Sequence, residues 1–158
     1  MRALRRDHEL LAGFAFPAWL GYHRGNMKHE TLNPATLSRP GTYSHITIVP
    51  SGRQVHISGQ VAFNAAGELV GKGDLAAQTE QVYTNLGHAL AAAGASLADV
   101  FKIVTYVVGI TPDKVATIRA ARARFLGAGP YPASTMVGVT GLVHPDLLIE
   151  VEAIAAID

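Results

Sequence analysis

Glu150 and Glu152 sit two residues apart in the apolar run Ile149-Glu150-Val151-Glu152-Ala153. On a strand this spacing puts both carboxylates on one face, roughly 7 Å apart. Like charges at that separation raise at least one pKa, and a carboxylate so raised can take a proton from water and return one to a leaving amine. The same spacing suits a pair that is solvated or hydrogen-bonded across a subunit boundary, and spacing alone leaves both readings open. Tyr43 offers a hydroxyl that could donate to a carbonyl oxygen or an imine nitrogen; the plainer reading is a half-buried strand tyrosine.

Other chemistries lack their residues. The seven histidines include no His-x-His or His-x-x-x-His pair, so they read as polar surface or interface groups and no metal site is expected. Gly71-Lys72-Gly73 lacks the Lys-Ser/Thr ending of a phosphate loop, and Asp74 after it would repel phosphate; the segment reads as a turn and a helix cap. Ser58 has no nucleophile-elbow pattern around it. With no cysteine, disulfides and thiolate chemistry are excluded, which fits a reducing, cytoplasmic setting.

These groups must be positioned by an ordinary globular body. The chain has 158 residues, 49% hydrophobic and 16% charged, as expected for one domain with a real core. Tyr43–Val49 and Gln54–Gln60 both alternate, and Pro50-Ser51-Gly52-Arg53 between them is turn chemistry, so they are predicted to pair as a hairpin with Ile48 facing Val55 and Ile46 facing Ile57. Asp74 caps a helix with apolar positions at Leu75, Val82, Leu86, Ala89, Leu90 and Ala93, stopped by Gly94. Val100–Val108 reads as a strand buried on both sides, with Phe101, Ile103 and Val107 opposing Val100, Val104, Tyr106 and Val108. Thr111-Pro112 opens a second helix, with Val115, Ile118 and Phe125 inward and Gly127 at its end. Strands over Thr135–Val139 and Leu147–Ile157 complete an α+β order. Two helices cover one sheet face, so the second apolar face calls for another copy of the same sheet and a symmetric homo-oligomer.

Residues 1–26 carry Arg2, Arg5, Arg6 and Arg24 against Asp7 and Glu9, before an apolar run broken by Pro17. They read as an upstream extension outside the fold rather than a signal peptide, and the run is too short to span a membrane. The domain is expected over 27–158, where acids outnumber bases by one, so neither nucleic acid nor an anionic membrane is an expected partner.

Gly41-Thr42-Tyr43-Ser44, Ile57-Ser58-Gly59-Gln60, Gly71-Lys72-Gly73-Asp74, Gln78, Asn85-Leu86, Ala93-Gly94-Ala95-Ser96, Asp99-Val100-Phe101-Lys102 and Ile149-Glu150-Val151-Glu152-Ala153 occur in an order that resembles the Rid family, the RidA-like or YjgF-type reactive intermediate deaminases. The resemblance spans 29–157. It implies a chorismate-mutase-like α+β subunit, a homotrimer with sheets facing inward, and small-molecule clefts between subunits. It also implies hydrolysis of 2-imino or enamine acids to 2-keto acids and ammonia without a cofactor. Some members are described as endoribonucleases or translation inhibitors, which this charge balance does not favour.

Residue by residue, the resemblance assigns catalytic roles to Glu150 and Tyr43 and a backbone role to Gly59. The arginine that clamps the substrate carboxylate is absent: archetypal members read Pro-Ala-Arg-Ser where this chain has Pro132-Ala133-Ser134-Thr135. A bidentate arginine makes two charge-assisted bonds, each worth about 1.5–3 kcal/mol, whereas Ser134 offers one neutral donor. Either the ligand is not an anionic imino acid or another cation has replaced the arginine. Ser134, Thr135 and Arg119 are the candidate substrate-binding residues, and Arg119 also fits a solvated helix face with Lys114, Arg122 and Arg124. Two function classes therefore stand: a hydrolytic deaminase of a small imine, enamine or related carbonyl compound with altered specificity, or a trimeric small-molecule-binding protein without catalysis.

Overall fold

The structure, a computed structural model, describes residues 29–158, and the extension read at 1–26 lies outside the described residues. Two short strands, β1 (Glu30–Leu32) and β2 (Ile46–Ile48), precede β3 (Arg53–Gln60), α1 (Leu75–Ala92), β4 (Val100–Val108), α2 (Pro112–Leu126), β5 (Ala133–Val139) and β6 (Ile149–Ile157). The four long strands form one mixed sheet in the order β3-β6-β4-β5. β6 is antiparallel to both β3 and β4, and β4 is parallel to β5 through the α2 crossover. This is the α+β architecture expected, with both helices on one side of the sheet.

Local chemistry sets the helix ends. The Asp74 carboxylate accepts from the backbone N–H groups of Ala76 and Ala77 at 3.0 and 3.1 Å, satisfying two donors that have no partner inside α1. Thr111 caps α2 through the Lys114 N–H, with Pro112 in the first turn, and Gly127 ends it at φ +61°.

The core lies between helices and sheet. Val82, Tyr83, Leu86 and Leu90 of α1 and Ile118 of α2 are fully buried against Ile103 and Val107 of β4 and Ile149, Val151, Ala153 and Ala155 of β6. Each such aliphatic side chain contributes about 1.5–3 kcal/mol by leaving water. Phe125 stacks on Tyr83 with ring centroids 5.5 Å apart. Two motif residues serve this core as polar fasteners. The buried Gln78 amide donates to the carbonyls of Gly71 and Asp146 and accepts from the Leu148 N–H at 2.8 Å, fixing the chain as it enters β6. Asn85 donates to the carbonyls of Val61 and Phe63.

Two expectations fail. The hairpin does not form: β2 pairs with β1 through Glu30↔Ile48, Thr31↔Thr47 and Leu32↔Ile46, while β3 pairs with β6. The first half of the predicted strand is drawn elsewhere, because Ser44 bridges Ala133, donating its N–H to Pro132 at 3.1 Å and its hydroxyl to Tyr131 at 2.7 Å. That anchors Tyr43–His45 beside β5, at the sheet edge opposite β3. The face assignment of β4 also changes at its start. An irregularity between Val100 and Lys102 breaks the alternation, so Val100 joins Ile103 in the core and Phe101 is left outside the paired register.

Candidate functional site

Alternation along β6 puts Ile149, Val151, Ala153 and Ala155 under the helices, and so turns Glu150 and Glu152 to the opposite, open face of the sheet. No helix among the described residues covers that face. The register places Tyr106 directly opposite Glu150 and Val104 opposite Glu152. Tyr106 thus faces both β6 carboxylates from the adjacent strand. Partial desolvation raises the phenol pKa above 10.0, and Glu152 and then Glu150 add to the shift by disfavouring a third negative charge. Tyr106 is therefore a neutral donor at physiological pH.

Gly59 comes up against the same carboxylate. A Cβ built there would collide with Glu150 Oε1, and lie 2.7 Å from its Cδ, so no side chain fits while Glu150 holds this position. The register irregularity between Ile57 and Gln60 brings the Gly59 backbone to that place. Glu150 and Gly59, assigned together from the resemblance, are thus neighbours in space.

The other expected residues lie elsewhere. Tyr43 is beside the start of β5, its ring edge-on to His45 at 5.2 Å, two strands away from β6. Thr135 pairs with Val104 and so shares the open face; Ser134 pairs with Ile103 and is turned by register toward the helix side. Arg119 is exposed on α2, in the layer on the other side of the sheet from Glu150. The buried cation of α2 is Arg122, which donates to the Thr42 carbonyl at 3.0 Å and hydroxyl at 2.9 Å and so positions the segment carrying Tyr43.

The subunit thus holds two separated groups: Gly59, Glu150, Glu152 and Tyr106 toward β3 and β6, and Tyr43 and Thr135 toward β5. A hollow between β1 and β2, lined by residues including Asn33, Leu37, Arg39 and Pro40, contains none of them. Among the described residues no group of three or more His, Cys, Asp or Glu could hold a metal ion, and no helix is long and apolar enough to cross a membrane.

Two open-face residues escaped the sequence reading as site candidates. Tyr106 read only as part of an apolar strand, and Lys102 only as part of a motif. Lys102 donates from Nζ to Thr135 Oγ1 at 3.0 Å, across the β4–β5 pair. Their spacing of two from Val104 was the available signal; linking them to Glu150 and Thr135 required the register.

Comparison with known proteins bears on this arrangement. Residues 35–157 match the family model described as Endoribonuclease L-PSP. A RutC family protein of Pyrococcus horikoshii is 38% identical over 116 residues, 73% of this chain and 86% of that protein. A 2-iminobutanoate/2-iminopropanoate deaminase of Dermatophagoides farinae is 28% identical over 118 residues, 75% of this chain and 88% of its own. Among solved structures, the Rid family protein YyfB of Yersinia pestis, described as of unknown function, superposes with a TM-score of 0.77 at 47% identity, covering 83% of this chain and all of that one.

Proposed function

Because the chain belongs to the Endoribonuclease L-PSP family, the Rid or YjgF-type proteins, we propose that it is a hydrolytic deaminase of small reactive imines, enamines or related carbonyl compounds, with a substrate hold different from the archetype. The observation that carries this reading is Glu150 seated against the Gly59 backbone on the open sheet face, with Tyr106 opposite and Glu152 two residues away. In this reading Glu150 accepts a proton from water as the oxygen attacks the imine carbon. Glu150 returns that proton to the nitrogen of the carbinolamine that forms and takes the hydroxyl proton as the C–N bond breaks, so that a ketone and ammonia leave. Glu152 shares the face two residues away as a second acidic group, and Tyr106 stands across from the pair on the neighbouring strand.

The working form is proposed to be a homotrimer with the cleft between subunits. Val104, Tyr106 and Ile154 give the open face an apolar surface, and Val137 beside them is 40% exposed. The separation of Tyr43 from Glu150 supports the same reading, since a closed ring can bring the β5 edge of one copy against the β3–β6 region of the next. The acidic balance beyond residue 26 favours a small-molecule ligand over RNA.

The test is ammonia release from freshly generated imines. Glu150→Gln should lower the rate by about 10²- to 10⁴-fold with folding intact, because the amide cannot accept the proton; an unchanged rate would overturn the assignment. The absent arginine at Ser134 favours a second reading, a binding protein without catalysis. Ligand binding with no hydrolysis of any imine would select it.

A further inference from the structure

The missing arginine leaves open which group, if any, receives an anionic substrate, and the positions of the remaining cations narrow the answer. Most are engaged elsewhere. Arg53 donates to the Asp158 carbonyl, Lys72 pairs with Asp146 at 2.8 Å, Lys114 donates to the Val108 carbonyl, Arg122 holds Thr42, and Arg124 pairs with Glu80 at 2.8 Å. Arg119 is exposed in the helix layer, and Arg39 lines the hollow between β1 and β2. On the open face of the four-stranded sheet, Lys102 is the cation among the described residues.

Its surroundings differ from those of an ordinary surface lysine. Its bonded partner is a neutral hydroxyl, Thr135 Oγ1 at 3.0 Å, and no carboxylate of the described residues pairs with it. An ammonium has three N–H donors, so two remain for a ligand. The neighbours on that face are Ala133 and Ile154, which pair with Lys102 on either side, Val104 opposite Thr135, and Val137 next along β5. Glu152 lies across Val104, about 10 Å from Thr135 at ordinary strand spacing, and has the Tyr106 hydroxyl beside it. An ammonium with unused donors, oriented by a hydroxyl over an apolar floor, is suited to a small anion.

We infer that Lys102 and Thr135 form the anion subsite of this protein and take the carboxylate of a small 2-keto or 2-imino acid. The inference rests on the deaminase reading for the identity of the acid, but its chemistry is independent of Glu150. A lysine holds the carboxylate as a point charge, without the planar two-bond geometry of an arginine, so orientation is looser and acids of different shape are accepted.

The experiment is calorimetric titration of the full chain with 2-oxobutanoate and with its neutral amide. Lys102→Met should weaken 2-oxobutanoate binding at least tenfold, Lys102→Arg should keep it within about threefold, and the amide should bind wild type no better than it binds Lys102→Met. Added salt should weaken binding of the acid to the wild type alone among wild type and Lys102→Met. Circular dichroism and sedimentation must show both variants folded and assembled like the wild type; if Lys102→Met is not, Thr135→Val, with an expected loss of about threefold, takes its place. Equal affinity for acid and amide, unchanged binding in the folded variant, or no binding of the acid at millimolar concentration would overturn the inference. Ammonia release measured in parallel separates the two claims: binding that depends on Lys102 without any hydrolysis would remove the deaminase reading and leave the subsite standing.

Discussion

Strand β6 presents one residue in two to the helices and the alternate one to the open face, and these two sides obey different rules. Under the helices, Val151 and Ala155 are fully buried, and the Gln78 amide is matched by partners at both its nitrogen and its oxygen. On the other side Glu150, Glu152, Tyr106 and Lys102 interrupt an apolar surface. A folded monomer needs the first side and gains little from the second. Charged groups among exposed apolar ones make sense where a further surface or a ligand completes them.

The largest effect should come from damage to the helix side. Leu86→Ala removes a fully buried side chain and should cost about 2–5 kcal/mol in denaturant unfolding, with little change in ligand affinity among molecules still folded. An equal loss from a substitution at Val104 would erase the distinction between the faces. Val104→Asp is instead expected to act on assembly: a third carboxylate directly opposite Glu152 should shift sedimentation toward monomer, with dissociation raised tenfold or more and secondary structure retained.

Smaller effects sharpen the contrast. Tyr106 should ionise above 10.0 in an ultraviolet titration, because partial desolvation and the neighbouring Glu152 and Glu150 disfavour the phenolate. Replacing Glu152 by Gln should bring that titration down toward the ordinary value. His29, the residue before β1, provides the smallest test: its imidazole lies 6.4 Å from the ring of Phe101, at the start of β4 where the alternation is lost. Burial lowers the His29 pKa below 6.5, and Asp99 opposes this only in part. The fold therefore favours the neutral ring, so its contribution is present above about pH 6.5 and is lost as pH falls through the lowered folded value. Melting temperature should fall on acidification through that range, and His29→Phe should flatten this part of the profile.

Helix boundaries were legible because their causes are local. Asp74, the Thr111-Pro112 pair and Gly127 act on backbone groups within one turn, and the structure has each where the sequence put it. Glu150 and Glu152 sharing a face was also legible, since alternation needs only that the segment be a strand. Strand partners were not. The alternation of Tyr43–Val49 and Gln54–Gln60 was real, but pairing joins distant residues, and Ser44 is held by Tyr131 and Pro132, 87 and 88 positions along the chain. The irregularity at Val100–Lys102 likewise shifts parity by one residue, which no periodicity count reveals.

By itself, then, the sequence determined the α+β class, both helices with their caps, and the carboxylate pair on the last long strand, all products of near-neighbour geometry. Only the tertiary structure decided that Gly59 meets Glu150, that Tyr43 lies two strands away from it, and that Lys102 and Tyr106 belong to the same open face. The reason is register: a contact between strands is specified by competition among all strand edges for the same backbone hydrogen bonds, a choice settled by the packed core as a whole.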